Sequence, residues 1–314
     1  MKPRSRHLLR FSTTAALIAL MLLTGCATSS AQAKSPKRVL VVTTTTGFRH
    51  SSIPLAESIL QGLASESGAF TVEYARVEPK DEQFKGADGK PDKAKVNEAI
   101  KAVLAEKMNR TALAKYDAVI FASTTGDLPL PEREALLDFI KSGKGFVGVH
   151  AATDTFPGFP GYIEMIGGEF LRHGPQVEVT AINQDRDCPA CKHLGATWTV
   201  FDEIYQLKNF DRAKVHGLLT LDRLMLNADD IKNNKATPGD YPVAWMKNYG
   251  KGRVFYTSLG HREDIWDPAW KDAKGERKNA PAIAEAFQKH LLGGIKWALG
   301  LEAGDATPQT AATK

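Results

Sequence analysis

From residue 38 to residue 301 the chain alternates short β-branched apolar runs with stretches of helical spacing, and this alternation constrains the fold more than any other feature. Strand, helix and strand in succession build a parallel sheet with helices on both faces, so a three-layer α/β architecture is expected. Residues 39–44 read as the first, central strand, and 70–74, 117–122 and 146–149 as further strands. Ile53, Leu55, Ile59 and Leu60 form the stripe of a helix with Pro54 in its first turn and Ser51 or Ser52 as its cap. Residues 96–107, 132–142 and about 281–299 read as helices, the second stopping at Gly143. Residues 243–247 and 253–258 read as a hairpin. The stretch 181–199 lacks a clear period and reads as an excursion on the main domain. No internal linker interrupts residues 38–301, so one domain is expected, with a disordered tail over 302–314.

The N-terminus is expected to be processed. Arg4, Arg6, His7 and Arg10 precede an apolar run over 14–23, the layout of a secretory signal. That run is shorter than the roughly 20 residues a membrane-spanning helix needs. Leu23-Thr24-Gly25-Cys26 resembles the bacterial lipobox, which makes residues 1–25 a signal peptide, Cys26 the lipid anchor and 26–37 a flexible tether. Cleavage after Ala31-Gln32-Ala33 is the competing reading. Ala27 after the cysteine resembles the residue that routes such anchors to the outer membrane, facing the periplasm. Removing Lys2, Arg4, Arg6 and Arg10 takes the formal charge from +5 to +1, which leaves no electrostatic case for nucleic acid. The membrane would be reached through the N-terminal lipid alone.

Besides Cys26 there are Cys188 and Cys191, in Cys-Pro-Ala-Cys. In an exported protein such a pair most simply forms a local disulfide. Thiol exchange and zinc binding use the same spacing. The pair sits in a charged, Pro-containing loop instead of at a helix start, Lys192 stands where haem attachment needs histidine, and no second cysteine pair completes a zinc site.

Three strand-like runs break off at or just before a histidine, at His50, His150 and His261. Ligands of open α/β sheets bind beyond the carboxyl ends of the strands, so these imidazoles are expected in one site. The run 143–151 invites comparison with a nucleophile elbow, but it offers His150 and Ala151 where acyl transfer needs serine or cysteine. No P-loop is present, and Gly143-Lys144-Gly145-Phe146-Val147-Gly148 matches G-x-G-x-x-G only inside a strand-like run, not between a strand and a helix, so no nucleotide site is expected. Proton transfer and coordination of a divalent metal ion both remain open for His50, His150 and His261.

Further candidates surround them. Asp154 shares a face with His150 if that turn is helical, and otherwise caps a helix or bonds a loop. His173 follows Gly167-Gly168-Glu169-Phe170, whose glycines permit a return toward the cleft. Glu203 and Tyr205 lie on one side of an extended segment, suited to sugar hydroxyls or a proton relay, unless Glu203 merely pairs with a surface lysine. Arg49 would orient substrate. Trp245 reads either as core or as a sugar platform.

The segments TTGFRH, GVHAATD, GGEFLRHG, FDEIYQL, YPVAWMKNYGKGRVFYTSLGH and LLGGIKWALG, in this order, resemble the ThuA-like (trehalose utilisation) family over residues 38–301. The resemblance implies a flavodoxin-like fold of the class I glutamine amidotransferase type without its catalytic cysteine. It also implies a carbohydrate substrate, a disaccharide or its keto form, and leaves the reaction undefined. An exported enzyme that hydrolyses, eliminates or isomerises glycosides or keto-sugars is therefore expected. Its alternatives are a tethered carbohydrate-binding protein and a redox lipoprotein. The chain departs from the family in its leader and in the Cys188–Cys191 insertion.

Overall fold

The computed structural model describes Met1 and residues 35–225, 228–233 and 240–309. The expected signal, Cys26 and the tether up to residue 34 lie outside these residues, as does the tail beyond residue 309.

β1 (Lys37–Val42) leads through α1 (Ile53–Ser67) to β2 (Phe70–Ala75). Then follow α2 (Lys93–Lys107), α3 (Arg110–Leu113), β3 (Ala118–Ala122), α4 (Arg133–Lys141) and β4 (Gly145–Val149). Beyond them come α5 (Pro160–Ile166), β5 (Glu169–His173), β6 (Val177–Asn183), β7 (Thr197–Asp202), β8 (Tyr205–Lys208), β9 (His216–Leu221) and α6 (Ala228–Asn233). β10 (Pro242–Tyr249), β11 (Gly252–Thr257), α7 (Glu263–Trp266) and α8 (Pro281–Ala298) complete the described elements.

The main sheet has the order β2-β1-β3-β4-β11-β10-β9-β6-β7. Its first five strands are parallel, in the 2-1-3-4-5 order of flavodoxin-like folds, which places a topological switch between β1 and β3. β10 returns antiparallel from β11 as the expected hairpin, and β9, β6 and β7 continue the sheet antiparallel. β5 and β8 form a separate two-stranded ribbon.

The expected three layers follow from the strand period. Along β1, Val39 and Val41 enter the core under α1 and α8, while Leu40 and Val42 enter the core under α2, α4 and α5. Strands buried on both faces need apolar residues at every position, which is why they read as continuous runs. α1 carries Pro54 in its first turn and ends at Gly68, whose φ of 59° suits the left-handed cap.

Four local expectations change. Residues 181–199 are no mere excursion: β6 and β7 flank the cysteine loop and extend the main sheet. Their alternation is amphipathic, with Trp198 and Val200 inward and Thr197 and Thr199 exposed, but a window over 181–199 cuts both strands in mid-course. Cys188 and Cys191 are two free, buried thiols instead of a disulfide. They pack as small apolar groups in the core, the Cys188 thiol 3.7 Å from Met246 Sδ. The tail is packed as far as Gln309, whose amide N–H donates to the Val215 carbonyl while Ala306 is buried. Ser52 occupies the cap position of α1, but its hydroxyl donates to the Gly260 carbonyl, on the loop after β11.

Candidate functional site

The carboxyl ends of β1, β4 and β11 bring His50, His150 and His261 together. After β1 the chain runs through Thr46-Gly47-Phe48 and interlocks with the loop after β3. Thr46 N–H donates to the Thr125 carbonyl, and Thr125 Oγ1 donates to the Phe48 carbonyl. A Cβ on Gly126, which has φ 79°, would lie 2.5 Å from Thr46 Oγ1 and 2.7 Å from Gly47 N. Glycine is thus required there by both conformation and space. This contact delivers His50 to the sheet edge.

His150 follows β4 with φ 52°, in the left-handed region a side chain rarely adopts. The Tyr256 hydroxyl donates to the His150 carbonyl at 2.8 Å and also contacts Thr153 Oγ1 at 3.0 Å, which holds this turn. The position matches the elbow expected from the sequence, with imidazole in place of a nucleophile. His150 Nδ1 lies 2.8 Å from the Ser258 carbonyl. A carbonyl only accepts, so Nδ1 carries the hydrogen and Nε2 presents its lone pair. That lone pair faces His50 Nε2 at 3.1 Å and receives the Tyr205 hydroxyl at 3.2 Å.

Glu203, between β7 and β8, closes the cluster. Its carboxylate lies 3.0 Å from His173 Nδ1, 3.2 Å from His261 Nδ1 and 3.8 Å from His150 Nε2. Neighbouring Asp202, fully buried, accepts the Gly260 N–H at 2.7 Å and the Arg262 N–H at 3.3 Å, so it grips the backbone on both sides of His261. Adjacent acids therefore do different work: Asp202 holds the loop and Glu203 meets its imidazole.

The electrostatics split the imidazoles. Burial, reinforced by the His261 charge, lowers His50 to about 4. Burial and the neighbouring His50 push His150 well below its ordinary value. Burial also disfavours the His261 cation, but its bond to Glu203, the Glu203 charge and that of Asp202 outweigh this and raise its pKa. Burial lifts Asp202 to about 6 against its backbone hydrogen bonds. Near neutral pH, His50 and His150 are therefore neutral, the form that ligates metal.

His50, His150, Glu203 and His261 offer ligand atoms that all lie within 4.8 Å of one another. Three imidazoles and a carboxylate form a donor set suited to a divalent ion of the zinc type. The Ser258 carbonyl on His150 Nδ1 is the outer partner that such ligands require. Without an ion, His50 Nε2 carries the hydrogen that meets the His150 lone pair, and its buried Nδ1 has no hydrogen-bond partner, so ligation through Nε2 would move that hydrogen to Nδ1. The residues fit the ion.

The other predicted residues take different places. His173, its side chain 46% exposed, reaches the cluster from β5 only through Glu203. Tyr205 and Glu203 both approach His150 Nε2, at 3.2 and 3.8 Å. Asp154 lies in the turn after His150 but outside the donor set; burial and the charge of Glu169 raise its pKa. Arg49 points away, to Glu78 at 2.9 Å and the Thr43 carbonyl. Trp245 is no sugar platform: it is fully buried, donates to the Ile166 carbonyl and packs on Tyr256 at 4.3 Å. Sequence reasoning missed Asp202, Ser258 and Tyr256. Only Asp202 carried a signal, its adjacency to Glu203.

A structure of a putative ThuA-like protein from Bacteroides uniformis is similar at 20% identity, with a TM-score of 0.58 over 86% of this chain and 94% of that one. A second, from Parabacteroides merdae, gives 18% identity and a TM-score of 0.57 over 88% and 96%. Both likenesses concern the fold. No curated protein matches the sequence. The family model for ThuA, trehalose utilisation, matches residues 38–298, and the chain belongs to that family.

Proposed function

We propose that the protein is a carbohydrate-processing enzyme whose reaction centre is the cluster of His50, His150, Glu203 and His261, holding a divalent metal ion. The convergence of four donor atoms within 4.8 Å carries this reading. When bound, such an ion polarises a carbonyl or activates water. Membership of a trehalose utilisation family supports a sugar as substrate. A keto-sugar or glycoside fits the chemistry of the side chains.

The residues divide the work. His50 and His150, neutral and buried, ligate. Tyr205, whose hydroxyl already donates to His150 Nε2, turns that hydrogen toward a substrate oxygen when the lone pair is otherwise engaged. His173 is the exposed end of the His173–Glu203 pair and exchanges protons with solvent. Hydrolysis, elimination and isomerisation all need a proton taken from or returned to carbon-bound oxygen or carbon, which this pair can serve.

The proposal includes export: a signal over residues 1–25 and a lipid on Cys26 would set the enzyme on the outer membrane, facing the periplasm. Leu23-Thr24-Gly25-Cys26 supports this.

Metal analysis and cobalt titration of the mature protein, beside turnover of a panel of keto-glycosides, test the reading. About one ion per chain is expected, with affinity lowered at least tenfold in His50→Ala and turnover lost. A wild-type protein that binds cobalt no better than His50→Ala refutes the metal centre. Sugar binding without turnover of any panel member leaves a carbohydrate-binding protein instead of an enzyme.

A further inference from the structure

Phe48 is 66% exposed, the one phenylalanine, tyrosine or tryptophan among the described residues that stands open to solvent. A single exposed apolar residue is ordinary on a protein surface. Its place here sets it apart. The Phe48 ring meets the His50 ring with centroids 4.9 Å apart and planes at 81°. Ring contacts continue from His50 to His150 at 4.6 Å, from His150 to Tyr205 at 4.6 Å and from Tyr205 to His173 at 6.3 Å. This chain of rings runs through the cluster and has exposed side chains at both ends, apolar Phe48 and polar His173.

The backbone under Phe48 is fixed before anything binds. The Thr46 and Gly47 N–H groups both donate to the Thr125 carbonyl, at 3.1 and 3.4 Å, and Thr125 Oγ1 donates to the Phe48 carbonyl at 2.8 Å. A Cβ on Gly47 would lie 2.9 Å from Thr125 Oγ1, so the missing side chain is what lets the two loops close on each other. A phenylalanine side chain has only two torsions to freeze, and on a pinned loop it offers contact area at little entropic cost. The other aromatic side chains near the cluster are committed elsewhere: Trp245 to the core, and Tyr205, buried, to His150.

Covering the open ring removes apolar area from water, which favours a ligand that is flat and apolar on its face. The histidines and Glu203 beside it favour a ligand that is polar at its rim. A pyranose ring has both properties, with C–H groups on its faces and hydroxyls around its edge.

We propose that Phe48 is the platform on which a pyranose ring of the substrate stacks, holding that ring at the histidine cluster. The inference rests on the carbohydrate reading above and deepens it, giving Phe48 the role that Trp245 does not take. Titration calorimetry of the intact mature protein with trehalose and with glucose, beside cobalt titration, tests it in Phe48→Ala and Phe48→Trp. Phe48→Ala is expected to weaken both sugars about tenfold through loss of the ring contact. Cobalt affinity should stay within about twofold, because backbone groups and Thr125 make the hydrogen bonds that place His50. Phe48→Trp keeps an aromatic face and should bind both sugars within about twofold of wild type. It also carries the test should Phe48→Ala fail to fold: relative to wild type, its added indole emission should shift to the blue when sugar is present. Unchanged sugar affinity in Phe48→Ala, an equal fall in sugar and cobalt affinity, or an unshifted indole in Phe48→Trp overturns the platform alone. Wild-type protein that binds neither sugar overturns the platform together with the carbohydrate reading.

Discussion

Glu203→Gln removes a charge while keeping the shape of the side chain, and its first effect should appear on His261. In the metal-free protein, burial opposes the His261 cation, and the Glu203 carboxylate 3.2 Å away is the main force that reverses this. An opposite charge at this range shifts a titration midpoint by roughly one to three pH units. The His261 midpoint should fall by about that amount and drop below the ordinary imidazole value near 6.5, as burial takes over. The sign extends to stability. A raised folded pKa contributes stability that is complete below the unfolded value and is lost as pH rises through the folded one. Wild-type metal-free protein should therefore gain more stability than Glu203→Gln on acidification from pH 8 to 6. Histidine Cε1–H NMR titration after chelation, with unfolding midpoints at the same pH values, measures both. A His261 midpoint unchanged in Glu203→Gln would show that the carboxylate does not hold that proton.

Two further perturbations follow from the scaffold. Asp264, fully buried, is lowered to about 2 because hydrogen bonds from Arg262, Asn279 and the Lys278 and Asn279 amides overcome its burial, so roughly 2.5 kcal/mol of stability should be present above pH 4 and disappear as pH falls toward 2; Asp264→Asn should flatten that acid limb in urea unfolding, and an unaltered limb refutes the assignment. Gly126→Ala should lose about 2–4 kcal/mol through its positive φ and the clash with Thr46 and Gly47, and because that contact positions His50, cobalt affinity should fall with it. Full cobalt affinity in a destabilised Gly126→Ala would separate the loop from the site.

Much of the fold and part of the site were legible in the residues. Strand runs such as AVIFA and GFVGV are apolar at every position because both faces are covered, and that pattern survives without any tertiary knowledge. β5 and β8 form only a short, partly exposed ribbon, so neither leaves a buried run to read. The histidines were readable because each ends a strand, and parallel strands share one carboxyl edge. Trp245 was ambiguous in sequence because an aromatic residue on a strand can face either layer or solvent. α5 packed above β10 decides it.

Composition and order determined the α/β class, the loss of an elbow nucleophile and the edge at which the imidazoles meet, since all three depend on local period and residue type. The chemistry of the cluster was decided only in three dimensions. Glu203 and His261 are 3.2 Å apart across 58 residues of chain, and the Ser258 carbonyl sets the His150 tautomer across 108. Such pairings leave no periodic trace, because hydrogen bonds and Coulomb forces act on distance in space and not on separation along the chain.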